Sequence, residues 1–230
     1  MANTISNRLI LRDQKILLRV YEKSDYDKVL LFLRQYFYPF DQSSQGRVSK
    51  SQSPEDEEVE MRGINSGVSV LAVTDDDKQE IIGASLAKPY TEEECRETLG
   101  YLKQLSALRG YPNDLEAIIF AEEMKIRSQI WRRHCINEAL YLSVMAIKEN
   151  FQRLSLGRTL MQKNLDYATE LGYSVAFGLS VTPRGIRLIE KFNFKCIYCI
   201  NFVDYKDYRG LSIYNTFQPH LQAKVFAKFL

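Results

Sequence analysis

Several ingredients that commit a chain to particular chemistry are scarce here, and each scarcity removes a class of function. Histidine occurs only at 134 and 220, and the four cysteines (95, 135, 196 and 199) include one close pair. Cys196 and Cys199 have the C-x-x-C spacing of half a zinc site, but no second Cys or His pair stands at ligand spacing. The pair falls in the apolar run 194–203, which reads as a strand, where residues three apart point to opposite faces. No metal or redox site is expected, and the cysteines read as buried thiols of a reducing compartment. Charge of one sign is lacking too: 31 basic residues face 29 acidic ones, a net +2. That balance argues against a dedicated nucleic-acid binder, which concentrates basic charge in a patch or stripe. No apolar run reaches the roughly 18–20 residues of a membrane span. The start, Met1-Ala2-Asn3-Thr4, lacks the basic flank and apolar stretch of a secretory signal, so a cytoplasmic location is expected. Neither a P-loop Gly-Lys-Ser/Thr nor a dinucleotide-binding G-x-G-x-x-G is present.

What is present describes a packed chain. Hydrophobic residues make up 45% of it, enough for a sizeable core. Residues 9–20 read as strand, interrupted by a turn at Asp13-Gln14. Ser24, followed by Asp25 and Asp27, reads as the cap and acidic first turn of a helix reaching about Tyr36. Residues 40–53 are Ser-rich and aperiodic, the composition of a mobile loop or lid, and Pro54 opens an acidic helix at 55–58. Runs 68–73 and 80–87 form a hairpin pattern, and helical patterns cover 92–108 and 115–127. Residues 139–147 are the strongest strand in the sequence. Leu156, Leu160, Leu165, Ala168 and Leu171 then recur at helical spacing until Gly172. A strand at 174–180, a helix at 184–192, a strand at 194–204 and a closing strand from about 222 complete the chain. This order predicts one α/β domain over 1–230, with a mixed, twisted sheet flanked by helices.

The chemistry gathers where the strand 139–147 meets the next helix. Gln152-Arg153-Leu154-Ser155-Leu156-Gly157-Arg158 forms a turn with small residues at 155 and 157, opening directly into a helix. Amides at a helix start have no intrahelical partner, and the dipole there favours an anion such as a pyrophosphate. Small residues allow close approach, and Arg153 and Arg158 add cationic donors. The same turn could be only a strand–helix junction that needs glycine for packing.

Gln152-x-x-Ser155-x-Gly157 resembles the Q/R-x-x-G-x-G/A acyl-CoA signature of the GNAT acetyltransferases, with Ser155 where that family has glycine. Residues 142–147 resemble the strand that pairs with pantetheine. Within that superfamily the chain is similar to the insect arylalkylamine N-acetyltransferases along nearly its whole length. The similarity is carried by Phe37-Tyr38-Pro39-Phe40-Asp41, Glu80-Ile81-Ile82-Gly83, residues 189–194, residues 202–206, Pro219-His220 and Ala227-Lys228.

The resemblance implies a GNAT fold and transfer of an acetyl group from acetyl-CoA to a small arylalkylamine, with no metal. Small-molecule amine and acyl-CoA are the implied partners, without nucleic acid or membrane. It places acyl-CoA at Gln152–Arg158, with a backbone amide of Ala146 or Ile147 on the thioester carbonyl. It also puts Asp41 at the family's catalytic glutamate, Thr182 at a functional serine and His220 at a pocket or relay position, while Gly185 lacks a second serine hydroxyl. Thr182 before Pro183 is equally a natural helix cap. Polyamine or agmatine acceptors, long-chain acyl-CoA, and a non-catalytic CoA-binding protein are the alternatives.

Overall fold

The computed structural model describes residues 7–40, 54–212, 214 and 222–230. Eight strands form one sheet: β1 (Arg8–Leu11), β2 (Gln14–Val20), β3 (Val70–Thr74), β4 (Ile81–Thr91), β5 (Glu138–Ile147), β6 (Val175–Ser180), β7 (Lys195–Asn201) and β8 (Gln222–Phe229). Their order is β1-β2-β3-β4-β5-β6-β8-β7, and every pairing is antiparallel except β5 with β6. The helices are α1 (Tyr26–Tyr36), α2 (Pro54–Met61), α3 (Glu92–Leu108), α4 (Asn113–Ser128), α5 (Ile130–His134), α6 (Leu156–Glu170) and α7 (Pro183–Lys191).

Strand alternation divides the core between the two faces. On β3, Leu71 and Val73 join Val29, Phe32 and Leu33 of α1, while Val70 and Ala72 join Leu156 and Leu160 of α6. Thus α1 covers one face and α6 the other. Further along, Phe120 and Met124 of α4 and Trp131 of α5 pack on Tyr141 and Phe177, on the same side as α1. Ile189 of α7 and Leu165 of α6 pack on Leu140, Ala176 and Phe226 opposite. α6 lies close to β4 because Gly83 has no side chain: a Cβ there would stand 3.1 Å from Leu160 Cδ1 and 3.3 Å from Leu156 Cδ2. Buried Asn164 fixes the same helix, its Nδ2 donating to the carbonyls of Val68 and Ser85.

α4 carries an ion pair into the interior that the helical pattern at 115–127 does not reveal. Lys125 Nζ lies 2.7 Å from Glu122, with side chains 2% and 1% exposed. The ammonium sits 4.1 Å from the Tyr141 ring centroid, and Glu122 accepts the Tyr90 hydroxyl at 2.8 Å. Burial pushes the Glu122 carboxyl up, but Lys125 and the hydrogen bonds from Cys95 and Tyr90 together outweigh it and the net shift is downward. The satisfied pair ties α4 to β4 and β5.

Three sequence expectations need correction. α1 starts at Tyr26, and the chain enters it through a 3-10 turn in which Glu22 and Asp25 cap each other, not through Ser24. Asp25 stands at the cap position before that helix, not in its first turn, where it is buried and takes a two-bond grip from Arg19 at 2.6 and 2.7 Å. The cysteines other than Cys95 are exposed, not buried, and none is in a disulfide.

The Arg19–Asp25 contact generates a stability prediction. The Arg19 hydrogen bonds hold the Asp25 carboxyl below its ordinary value despite burial. A depressed folded-state pKa contributes stability that is complete above the unfolded value of about 4 and is lost as pH falls through the folded value. Asp25→Asn should cost about 3 kcal/mol at neutral pH, because it strands a mostly buried guanidinium. The deficit relative to the parent should shrink below about pH 4. Urea unfolding of both proteins between pH 2.5 and 7 measures this, and parallel profiles would show the pair to be inert.

Candidate active site

The sheet is incomplete where its two parallel strands meet. β5 and β6 pair only at Leu140↔Ala176 and Tyr141↔Phe177, although β5 continues to Ile147 and β6 to Ser180. β5 departs at a bulge: Leu86 faces Val144 and Ala87 faces Leu142, leaving Ser143 as an extra residue. Such an insertion bends the strand and increases its local twist. β4 holds β5 as far as Gly83↔Ile147, and β8 holds β6 as far as Ser180↔Lys224. Between them opens a wedge in which, among the described residues, alternate backbone N–H and C=O groups of β5 have no strand partner. Ala146 and Ile147 lie on that free stretch, with Ala146 buried and Ile147 half-buried.

At the wide end of the wedge the chain turns into α6. Lys148 N donates to Ile82 O, a 3-10 turn covers Glu149–Phe151, and the Gln152 side-chain amide donates to Ile147 O at 3.2 Å. Gln152 therefore pins the turn to the strand it leaves. Arg153 (φ 64) and Ser155 (φ 63) are left-handed, and Ser155 is the residue that caps α6. The first-turn amides of Leu156, Gly157 and Arg158 have no intrahelical acceptor. Arg153, Ser155 and Arg158 are exposed, Leu154 is half-buried, and Leu156 is anchored in the core. The turn thus has the free amides of a helix start, with exposed Arg153 and Arg158 in the same segment, which is the chemistry that can hold an anion.

Gly157 sits in a tight space: a Cβ there would stand 3.1 Å from Ile147 Cδ1, 3.8 Å from Leu188 of α7 and 3.9 Å from Met145. It therefore borders the apolar wall between β5 and α7. A side chain at 157 points along that wall, not at the anion position expected from the sequence.

On the far side of the wedge Thr182 caps α7, its hydroxyl accepting the Gly185 N–H at 3.0 Å. The capping expectation is met, and the hydroxyl keeps its own proton for donation. Sequence reasoning missed Ser180. Its Oγ, at the end of β6, fills the space a side chain at 185 would occupy. The glycine at 185 was the available signal. Asp41, His220 and the segment 41–53 lie outside the described residues. Among the described residues, no group of three or more His, Cys, Asp or Glu is arranged to hold a metal, and no helix is long and apolar enough to cross a membrane.

No protein-family model matches the sequence, and no curated protein matches it. Solved structures do match. A mosquito arylalkylamine N-acetyltransferase-like protein superposes with a TM-score of 0.83 at 22% identity, covering 94% of this chain and 100% of its own. The Drosophila melanogaster polyamine N-acetyltransferase, which forms N-acetylagmatine, gives 0.82 at 17%, covering 94% of this chain and 100% of its own. Arabidopsis thaliana NAA60 bound to acetyl-CoA gives 0.53 at 14%, over 94% and 99% of the two chains. The architecture is the GNAT acyltransferase fold, an open mixed sheet flanked by helices. At these identities the likeness defines the fold and leaves the activity to be argued from the site.

The left-handed backbone at Ser155 accounts for glycine in the resembling signature, since a Cβ there costs about 1 kcal/mol. Ser155→Gly should leave stability unchanged or raise it by up to about that amount, offset by the greater freedom of the unfolded chain. It should also keep acetyl-CoA affinity within a few-fold. Thermal unfolding and calorimetric titration test both. A tenfold loss of affinity would show that the hydroxyl itself contacts the ligand.

Proposed function

We propose that this chain, as one GNAT domain over residues 1–230, transfers an acetyl group from acetyl-CoA to the primary amine of a small arylalkylamine. The observation that supports this most is the wedge between β5 and β6, which ends on the amide-lined turn at α6. A pantetheine arm is a chain of amides, and the free edge of β5 offers it strand-like pairing while the α6 turn takes the pyrophosphate. An amide at Ala146 or Ile147 would then polarise the thioester carbonyl as charge develops on its oxygen. Thr182 and Ser180 stand at the end of β6, and Thr182 is the donor assigned to the departing thiolate. Asp41 is assigned as the base that takes the ammonium proton, and His220 as a pocket or relay group. Cytoplasmic location belongs to the same reading, supported by four cysteines without a disulfide.

A second substrate class has an observation in its favour. A cavity of about 350 Å³ lies between α2 and α3, lined by Glu55, Glu58, Glu94, Glu97, Tyr90 and Tyr101 among others. Two of these carboxylates are already paired, Glu55 with Arg109 and Glu58 with Arg62, which also lines the cavity, and Glu94 accepts from the Thr91 amide and hydroxyl. The remaining negative charge and the tyrosine walls suit a polyamine or a guanidine such as agmatine.

Thiol release from acetyl-CoA across tyramine, dopamine, serotonin, agmatine and spermidine tests these readings. Turnover restricted to the aromatic amines supports the first, and turnover of the cationic amines the second. Long-chain acyl-CoA run beside acetyl-CoA tests the acyl group. Binding of CoA with no turnover would mark a non-catalytic CoA-binding protein. Gly157→Asp, whose Cβ would crowd Ile147 at 3.1 Å and shift the strand edge proposed to pair with pantetheine, should weaken acetyl-CoA binding at least tenfold. A folded variant with unchanged affinity would move the site elsewhere. Asp41→Asn should lower kcat/KM by roughly 10²–10⁴. That loss should shrink at alkaline pH, where free amine needs no base, and a pH-independent loss would assign Asp41 to positioning.

A further inference from the structure

Cys196 and Cys199 are three residues apart on β7, a spacing that in a regular strand sends side chains to opposite faces. The observed register reverses that. Cys196 faces Phe226 and Cys199 faces Lys224 on β8, but Tyr198 faces Val225, so Ile197 is an extra residue with no partner of its own. Phe226 and Lys224 are two apart on a regular strand and share a face. The bulge at Ile197 therefore places both cysteines on that same face. The neighbours agree: Ile197, Tyr198 and Ile200 pack on the opposite side, against the cluster that holds Val225 and Ala223.

Both thiols are exposed and free, and β7 is the last strand of the sheet, with no strand paired on its outer edge among the described residues. Glu190 of α7 and Lys224 of β8 face Cys196 with opposite effects. Burial, with a smaller push from the neighbouring Cys199 thiol, raises the Cys196 thiol. The Cys196 thiol turns toward Tyr198 O at 3.4 Å, along the strand toward its partner.

We infer that Cys196 and Cys199 form a single two-thiol site on the sheet edge that captures a soft, thiophilic centre able to bond both sulfurs. The facing positions Phe226 and Lys224 are two apart on a regular strand, about 6.6 Å, and the bulged strand covers that span with three residues. Such a span is at the upper end of the roughly 4.4–6.8 Å between Cα atoms that a direct disulfide spans. A bridging atom between the sulfurs relaxes this demand, so the site favours a bridged adduct over a disulfide. With a hydrated phenylarsenic(III) oxide as the bridging reagent, each sulfur replaces one hydroxyl on arsenic. Two S–H and two As–O bonds break, two As–S bonds form and two waters leave. Arsenic stays trivalent, so no oxidant is needed. The inference is independent of the proposed acyltransfer.

The experiment uses the full-length protein and phenylarsine oxide, read by intact mass. One equivalent should be captured, retained in a large excess of a monothiol and released by a dithiol. Cys196→Ser and Cys199→Ser should each lose the adduct under monothiol challenge, while Cys135→Ser, removing the third exposed thiol, should keep it. Circular dichroism and thermal unfolding confirm that each variant is folded. Retention in either the Cys196 or the Cys199 variant, or loss of the parent adduct to the monothiol, overturns the two-thiol assignment.

Discussion

Everything that gives this molecule a site follows from two parallel strands that part. β5 and β6 share only two residue pairs before the bulge at Ser143 turns β5 away. In a continuous sheet the backbone groups of residues 142–147 would be consumed by neighbours, leaving nothing to offer a ligand. β5 keeps its strand form after leaving β6 because β4 stays paired with it to the end. β6 keeps its form because β8 lies on its other side. The gap is thus held open by pairings outside it, and the unsatisfied edge inside it is rigid.

The helices serve that gap in different ways. Gly83 lets α6 settle onto β4, and Asn164 fixes it there, which fixes where its first-turn amides point. Gln152 returns the intervening turn to Ile147, so the amides and the free strand edge form one surface. α7, capped by Thr182, brings Leu188 against the same wall. On the other face, the Lys125–Glu122 pair and the tyrosines around it set the distance of α4 from the narrow end of the wedge.

Most elements were legible in the sequence because hydrophobic period and turn chemistry are local. Strands 8–20, the long strand ending at Ile147, α6 and α7 fall where alternation and capping put them. The turn 152–158 was legible for the same reason: its residues are contiguous, and helix-start chemistry needs no distant partner. What escaped depends on pairing across the chain. The Arg19–Asp25 contact made an expected first-turn acid into a buried anchor, and the ion pair on α4 depends on tyrosines from β4 and β5. Ser180 takes its meaning from a glycine five residues later that only the fold brings against it. The cysteine pair shows the rule most plainly. Parity along a strand is local until one unpaired residue, here Ile197, resets it, and no composition signal marks that residue.

The brevity of the β5–β6 contact also has a mechanical side. Strands β1–β5 form one ladder and β6–β8 another, and the backbone link between the ladders is those two pairs at Leu140 and Tyr141. Beyond them the ladders are joined by side-chain packing, chiefly the aromatic stack of Tyr90, Tyr141, Phe177 and Trp131, and by the crossing of α6. Aromatic packing resists separation but tolerates small rotations better than a row of hydrogen bonds does. Among the described residues, the β5–β6 seam is where the fewest backbone pairs hold the sheet together. A change of angle between the two ladders would break fewer of them there than at any other strand boundary.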